Sequence, residues 1–258
     1  MSVTGNWMNS FGSVVYLTQS QSGVVSGTYT STTGASGAYW VVGLADPSPQ
    51  SGMGQALALS ISWLSFQGGD SNPSWHYMSG MSGQAILLQD VPPTLILLHD
   101  MVASIPMQDV VATAGNYLDK LLFIPYQGGV PAPGQWPPPF VAPSSPQPIA
   151  GNWKCVQDPD TTLHINFVDE KSGYIDGTMT SAAGRSQLIG FADPNSTGLP
   201  AQAVALSTFW PGIGVATLSG MLDLKSGQLS LLQMTSSGTS QANTWLQTIA
   251  DGLNFTRA

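Results

Sequence analysis

Apolar and polar residues alternate with period two through most of the chain. Val14 and Tyr16 are set against Thr18 and Gln19, while Ala56, Ala58, Ser60 and Ser62 fall on one face and Leu57, Leu59, Ile61 and Trp63 on the other. A backbone whose successive side chains point to opposite faces turns this pattern into half-buried β-strands. Turn formers interrupt it every 8 to 15 residues, as in SQSG at 20–23, TTGASG at 32–37, DPSPQSGMG at 46–54 and QGGDSNP at 67–73. This rhythm predicts an up-and-down antiparallel sheet. In the first half the strands are expected near 5–10, 13–19, 24–31, 38–44, 56–64, 74–81, 85–89 and 120–124. Eight are enough to close a barrel around side chains or one small ligand. Closure also removes the open edges that invite aggregation.

The pattern occurs twice. Gly5-Asn6-Trp7 returns as Gly151-Asn152-Trp153, GTYTS at 27–31 as GTMTS at 177–181, and Ala45-Asp46-Pro47 as Ala192-Asp193-Pro194. QALALSISW ending at Trp63 matches QAVALSTFW ending at Trp210, and SGQAILLQ ending at Gln89 matches SGQLSLLQ ending at Gln233. Collinear matches of this kind mean duplication. The expected fold is therefore all-β: two tandem eight-stranded antiparallel up-and-down β-barrels, over 1–125 and 151–258. Residues 126–150 are the linker. The stretch from Pro125 to Ala150 holds nine of the nineteen prolines and should be extended and semi-rigid unless Trp136 and Phe140 pin it to a barrel. One segment, near 90–119, reads as an insertion into the first barrel. In it TLILLHDMV is a buried strand or apolar loop, and the i, i+3, i+4 spacing of Met107, Val110, Val111, Ala114, Tyr117, Leu118, Leu121 and Leu122 predicts an amphipathic helix from Pro106.

Composition narrows the function. Of 258 residues 42% are hydrophobic and only 8% charged, with a net charge of −8 and a pI near 4.3. So acidic a chain is a poor partner for nucleic acid or an anionic membrane. No apolar run reaches the roughly 18 residues of a membrane-spanning helix. Met1-Ser2-Val3-Thr4-Gly5 shows no signal peptide, which makes a cytoplasmic location the default expectation. The single cysteine, Cys155, rules out an internal disulfide and a multi-cysteine zinc site, and it reads as a small buried hydrophobe. No cofactor or metal is expected. The two copies share no Ser/His/Asp set and no paired carboxylates, which argues against an enzyme. Trp7 and Trp153 read as core, and His99 and His164 as isolated histidines. The Asp-Pro pairs at 46–47 and 193–194 read as turn formers, and Asp158, Asp160, Asp169 and Glu170 as a solvated acidic edge.

Three segments of the first copy and one of the second resemble the avidin and streptavidin family of biotin-binding barrels. They are GNWMNSFGS at 5–13, GTYTSTTG at 27–34, QALALSISW at 55–63 and SGTSQANTWLQTIADGLNFTRA at 237–258. The resemblance implies a pocket in the first copy with Asn9, Ser13 and Tyr29 donating to a ureido carbonyl. It places Ser31 as acceptor of a ureido N–H and Trp63 as an apolar wall. Met78 stands where the family has a second wall tryptophan, His76 where it has a hydroxyl, and Gln89 or a neighbouring leucine where a third tryptophan belongs. No acid or amide of the first copy falls where the family's terminal strand holds the other ureido nitrogen. The second copy departs further, with Cys155, Gln157, Pro159, Met179 and Leu218 at pocket positions. Only Ser181, Trp210 and Trp245 match, and the second barrel is expected to fill its own interior with Met179 and other apolar side chains.

The resemblance thus implies a non-catalytic small-molecule binder, with biotin or a related ureido or amide ligand in the first barrel. The alternative is an avidin-fold scaffold without biotin binding that acts as an interaction, defence or toxin-like protein. Trp245 lies in the loop with which the family caps a neighbour's pocket, so a homodimer forming a pseudo-tetramer of barrels is a further expectation.

Overall fold

The computed structural model describes residues 2–31, 37–66, 72–107, 110–128 and 136–258. The first barrel is built from β1 (Gly5–Asn9), β2 (Val14–Gln19), β3 (Val24–Ser31), β4 (Gly37–Ala45), β5 (Gln55–Ser62), β6 (Tyr77–Ile86), β7 (Thr94–Ala103) and β8 (Gly115–Pro125). Each strand pairs antiparallel with the next, and β8 returns to β1, closing the barrel. The second barrel repeats the order with β9 (Gly151–Cys155), β10 (Thr162–Phe167), β11 (Tyr174–Ser181), β12 (Gly184–Ala192), β13 (Ala201–Trp210), β14 (Gly214–Asp223), β15 (Leu229–Ser236) and β16 (Thr248–Arg257). Short 3₁₀ turns at Pro73–His76 and Gln241–Leu246 precede β6 and β16. Two tandem eight-stranded antiparallel barrels are thus the architecture that the alternation and the repeat predict.

The strands of the first barrel differ from expectation in its second half. The two strands expected at 74–81 and 85–89 are one, β6, and the turn expected between them is absent. The insertion near 90–119 is largely barrel wall: TLILLHDMV lies within β7, and among the described residues no helix starts at Pro106. Gly115–Pro125 is instead the closing strand β8. The segments at 32–36 and 67–71 lie outside the described residues, and with them most of the turn expected at 32–37.

Each barrel has its own core. Trp7 and Trp153 are buried at equivalent positions, and their indole N–H groups donate to the carbonyls of Val3 and Ile149, each at 2.9 Å. A buried indole N–H without a partner would be costly, so these bonds fix the residues just before β1 and β9. Arg257 stacks over Trp153, 4.3 Å from the ring centroid.

The barrels pack face to face, β4–β7 against β12–β15. Trp40, Val42, Leu44, Met78 and Val102 meet Ile189, Phe191, Ala203 and Ala205 in a shared apolar layer. Ser60 and Ser207, equivalent in the repeat, hydrogen-bond to each other at 2.8 Å, as expected for an isologous, pseudo-two-fold contact. The linker is pinned. Trp136 packs on Trp40 of the first barrel and on Tyr174 and Phe191 of the second, and Phe140 stacks on Tyr174 at 5.2 Å. Asp169, expected on a solvated edge, is buried and accepts from the Val141 and Ser172 amides.

Candidate functional site

Inside the first barrel lies a cavity of about 290 Å³, at the small end of the roughly 300–1,000 Å³ of small-molecule pockets. Asn9, Ser13, Tyr29, Ser31 and Trp63 line it, brought together from β1, β3 and the chain flanking β1 and β5. The turn after β1 explains how Asn9 is held. Its Oδ1 accepts from the Phe11 and Ser13 amides, both at 3.0 Å, while Gly12 takes a left-handed φ of +82°. The carboxamide thus closes its own turn, as asparagine does well. Its Nδ2 remains as a donor and reaches the Tyr29 hydroxyl at 3.1 Å.

Tyr29 is buried, and burial raises its pKa; hydrogen bonds with Ser13 and Asn9 act in the opposite direction. Its hydroxyl is therefore a neutral donor. Trp63 packs edge-on against Tyr29 (5.6 Å) and Tyr39 (4.9 Å), forming an apolar wall. The Trp63 indole N–H donates to Ser79 Oγ at 2.8 Å, and His99 Nε2 lies 2.9 Å from the same oxygen. Ser79 Oγ can accept from Trp63 and either donate to or accept from His99 Nε2, according to the imidazole tautomer.

Two sequence assignments are corrected. His76 does not line the cavity; its Nδ1 pairs with the fully buried Asp193 Oδ2 of the other barrel at 2.8 Å. Asp193 also holds the Asn195 amide through Oδ1, so this turn former is an inter-barrel anchor as well. Met78 faces the second barrel in the shared apolar layer, whereas Met81 faces the first core. The alternation of a strand explains the exchange: a reading off by an odd number of residues presents the opposite face. Gln89 is exposed in the turn after β6 and lies on no strand.

The pairing across β6, β7 and β8 brings Met81, His99 and Asp119 into one row. His99 and Asp119 line the cavity with Tyr77, Met101 and Leu121. Sequence reasoning misses this wall because the pattern leaves TLILLHDMV as strand or loop with no face assigned and predicts a helix across the first part of β8, with Asp119. Burial lowers the pKa of His99 to about 4 against an opposing contribution from Asp119, and burial above all pushes Tyr77 up to about 12. Both side chains are neutral at pH 7.

The second barrel contains a cavity of about 450 Å³, so its interior is not filled as expected. Ser181 and Trp210 line it with Cys155 and Met179. The pairs Leu163–Met179 and Val15–Tyr29 correspond, so Met179 replaces the tyrosine hydroxyl with a thioether. Trp245 lines neither cavity and is 74% exposed.

Among the described residues no group of three or more His, Cys, Asp or Glu side chains could hold a metal ion, and no helix is long and apolar enough to cross a membrane. The family model described as Avidin family matches residues 1–105, which takes in β1 to β7 and stops before β8. Among curated proteins none matches the chain. Avidin family proteins are non-enzymatic ligand binders, and the match together with the barrel fold supports a scaffold of the biotin-binding type. With that match over most of the first copy and sixteen strands in two closed eight-stranded barrels, the chain has the architecture of a tandem avidin-like protein.

Proposed function

We propose that the first barrel is a non-catalytic binding site for a small ligand with a ureido or amide head, of which biotin is the reference compound. The observation that carries this reading is the buried Asn9–Ser13–Tyr29 cluster beside the Trp63 wall. A carbonyl acceptor is partly negative, and inside an apolar barrel it needs donors already in place. Tyr29 accepts from Asn9, so its own proton can go to such a carbonyl. Ser79 and His99 form no nucleophilic pair toward the cavity: Ser79 is fully buried, bonded to Trp63 and absent from the lining. The expected event is therefore binding without bond making.

Titration with biotin, read by tryptophan fluorescence and calorimetry, tests the reading. Tyr29→Phe removes one donor and leaves the ring, so affinity should fall by about 1–2 kcal/mol, some five- to thirtyfold. Unchanged affinity in Tyr29→Phe would place the ligand elsewhere. The second cavity, with Cys155 and Met179 for Asn9 and Tyr29, should not bind the same ligand with equal strength, so the strong-site stoichiometry is one per chain.

The chain should also form homodimers with a pseudo-tetrameric set of four barrels. Leu118, Leu122 and Ile124 leave an apolar row 50–58% exposed on the outer face of β8. β16 carries Ala250, Asn254 and Thr256 at the corresponding positions. Trp245 and Ile249 are exposed at 74% and 67%. Light scattering at micromolar concentration should give twice 27.0 kDa, and a mass of 27.0 kDa would overturn the dimer.

A further inference from the structure

We propose that the first cavity selects ligands whose tail is neutral or cationic and discriminates against carboxylates, with Asp119 as the specificity-determining charge. The inference rests on the reading of a ureido or amide head held at Asn9, Ser13 and Tyr29, and concerns the other end of that ligand. Asp119 both lines the cavity and is solvent-exposed, which puts its carboxylate at the mouth.

The Lys120 amide donates to Asp119 Oδ1 at 2.6 Å, and among the described residues no cation lies on the same face to neutralise the charge. Residues 1–125 contain Asp46, Asp70, Asp90, Asp100, Asp109 and Asp119, no glutamate and a single basic residue, Lys120. Lys120 follows Asp119 directly on β8, so the alternation of the strand turns it to the outer face. Residues 32–36 and 108–109, outside the described set, contain no lysine or arginine. His99, the neighbour of Asp119 in the row, is neutral at pH 7 because burial disfavours its charged form. A ligand carboxylate at this mouth would meet an anion and no cation.

Tyr77 adds a polar requirement, and the second barrel repeats the charge. Tyr77 is 1% exposed and lines the cavity, and its hydroxyl has no hydrogen-bond partner among the described residues. A buried hydroxyl without a partner calls for one from the ligand. A polar group on the tail can supply it whatever its charge, so this hydroxyl calls for a polar tail while Asp119 sets the preferred charge. The second barrel repeats the acid in the same register: Leu218, Gln233 and Asp251 form its row, and Gln233 and Asp251 line its cavity. The aspartate is thus present in both cavities although the residues at the Asn9 and Tyr29 positions differ.

The test compares three ligands that share one ureido head on the full chain: biotin with its carboxylate, biotinamide with a neutral tail, and an amine-terminated biotin derivative. At low ionic strength, unit charges near a solvated mouth predict biotinamide binding about threefold tighter than biotin and the amine about tenfold tighter. Asp119→Asn should collapse this order, Asp251→Asn should leave it intact, and 0.5 M salt should compress it in the wild type. The salt series reads the same charge without any substitution. Biotin binding as tightly as the other two, or an order unchanged in Asp119→Asn, overturns the inference and leaves the ureido reading standing. Failure of all three ligands to bind overturns the ureido reading and this inference with it.

Discussion

Replacing His99 by glutamine should make the protein markedly less sensitive to mild acid. Gln233 occupies the equivalent row position in the second barrel, so the repeat itself supplies a side chain suited to the site. A carboxamide there can pair with Ser79 through its oxygen or its nitrogen, whichever role the imidazole plays. In the folded protein the pKa of His99 lies at about 4, lowered from 6.5 chiefly by burial. The unfolded chain therefore binds a proton between pH 6.5 and 4 that the folded chain refuses, and stability declines as pH falls through this window. The 2.5-unit difference corresponds to about 3 kcal/mol, present in full above pH 6.5 and lost near pH 4. Asp100 acts in the opposite sense. Burial raises its pKa, so its contribution favours the folded state at low pH and fades as pH rises through the folded value. Glutamine at 99 leaves Asp100 in place, so the difference between variant and wild type isolates the histidine. Urea unfolding followed by tryptophan fluorescence from pH 4 to 7.5 measures it, with a constant m-value as the check that the same transition is followed. The wild type should lose about 3 kcal/mol more than His99→Gln between pH 7 and 4. Parallel profiles would show that His99 titrates normally and is not held neutral in the wall.

Gly80→Val should loosen the pairing of the barrels by about 1–3 kcal/mol, since a Cβ at Gly80 would sit 2.9 Å from Ser219 Oγ and 3.1 Å from Thr217 Cβ; thermal unfolding reads it. Trp136→Ala removes the contacts to Trp40, Tyr174 and Phe191, and should make the 126–150 segment susceptible to limited proteolysis while both barrels remain folded. His76→Ala should cost about 1–3 kcal/mol in stability by leaving the buried Asp193 Oδ2 without its hydrogen bond, with no direct effect on ligand affinity in the first cavity, which His76 does not line.

β1 to β3 were legible because their outer faces are partly exposed, which preserves the period-two signal, and β4 and β5, buried on both faces, were legible from the turn formers that bound them. The strands misread in the first copy are β6 to β8. β7 turns Leu95 and Leu97 inward and Val102 toward the second barrel, so TLILLHDMV becomes a nearly continuous apolar run. β8 buries Leu121 and Phe123 while exposing Leu118, Leu122 and Ile124, and the two sets together imitate helical spacing. The break between the two strands expected in place of β6 falls beside Gly80, Ser82 and Gly83. They are small for close approach: Gly80 abuts Ser219, and a Cβ on Gly83 would lie 2.0 Å from the Ile96 carbonyl oxygen. These errors shifted the face of Met78 and hid His99 and Asp119, whereas the Asn9–Ser13–Tyr29–Ser31–Trp63 set, carried on well-read segments, came together around one cavity.

The same separation of faces explains how one barrel can lose pocket donors without losing its partner. Contacts between the barrels come from the outer faces of β4–β7 and β12–β15, including Ser82 with Ser236 and Asp100 with Ser219. Pocket residues occupy the inner faces, and Cys155 and Met179 belong to the second core rather than to the shared layer. Because the linker makes pairing intramolecular, the effective concentration of one barrel around the other is set by the chain and not by expression level. Two identical chains would have to carry every pocket substitution twice, and a contact such as Asp100 to Ser219 would recur with its two-fold mate. Here the position equivalent to Asp100 is Met234, so the Asp100 contact, with Asn116 and Ser219 as donors, has no two-fold mate. Duplication within one chain thus permits an asymmetric interface and two unequal cavities on a single architecture.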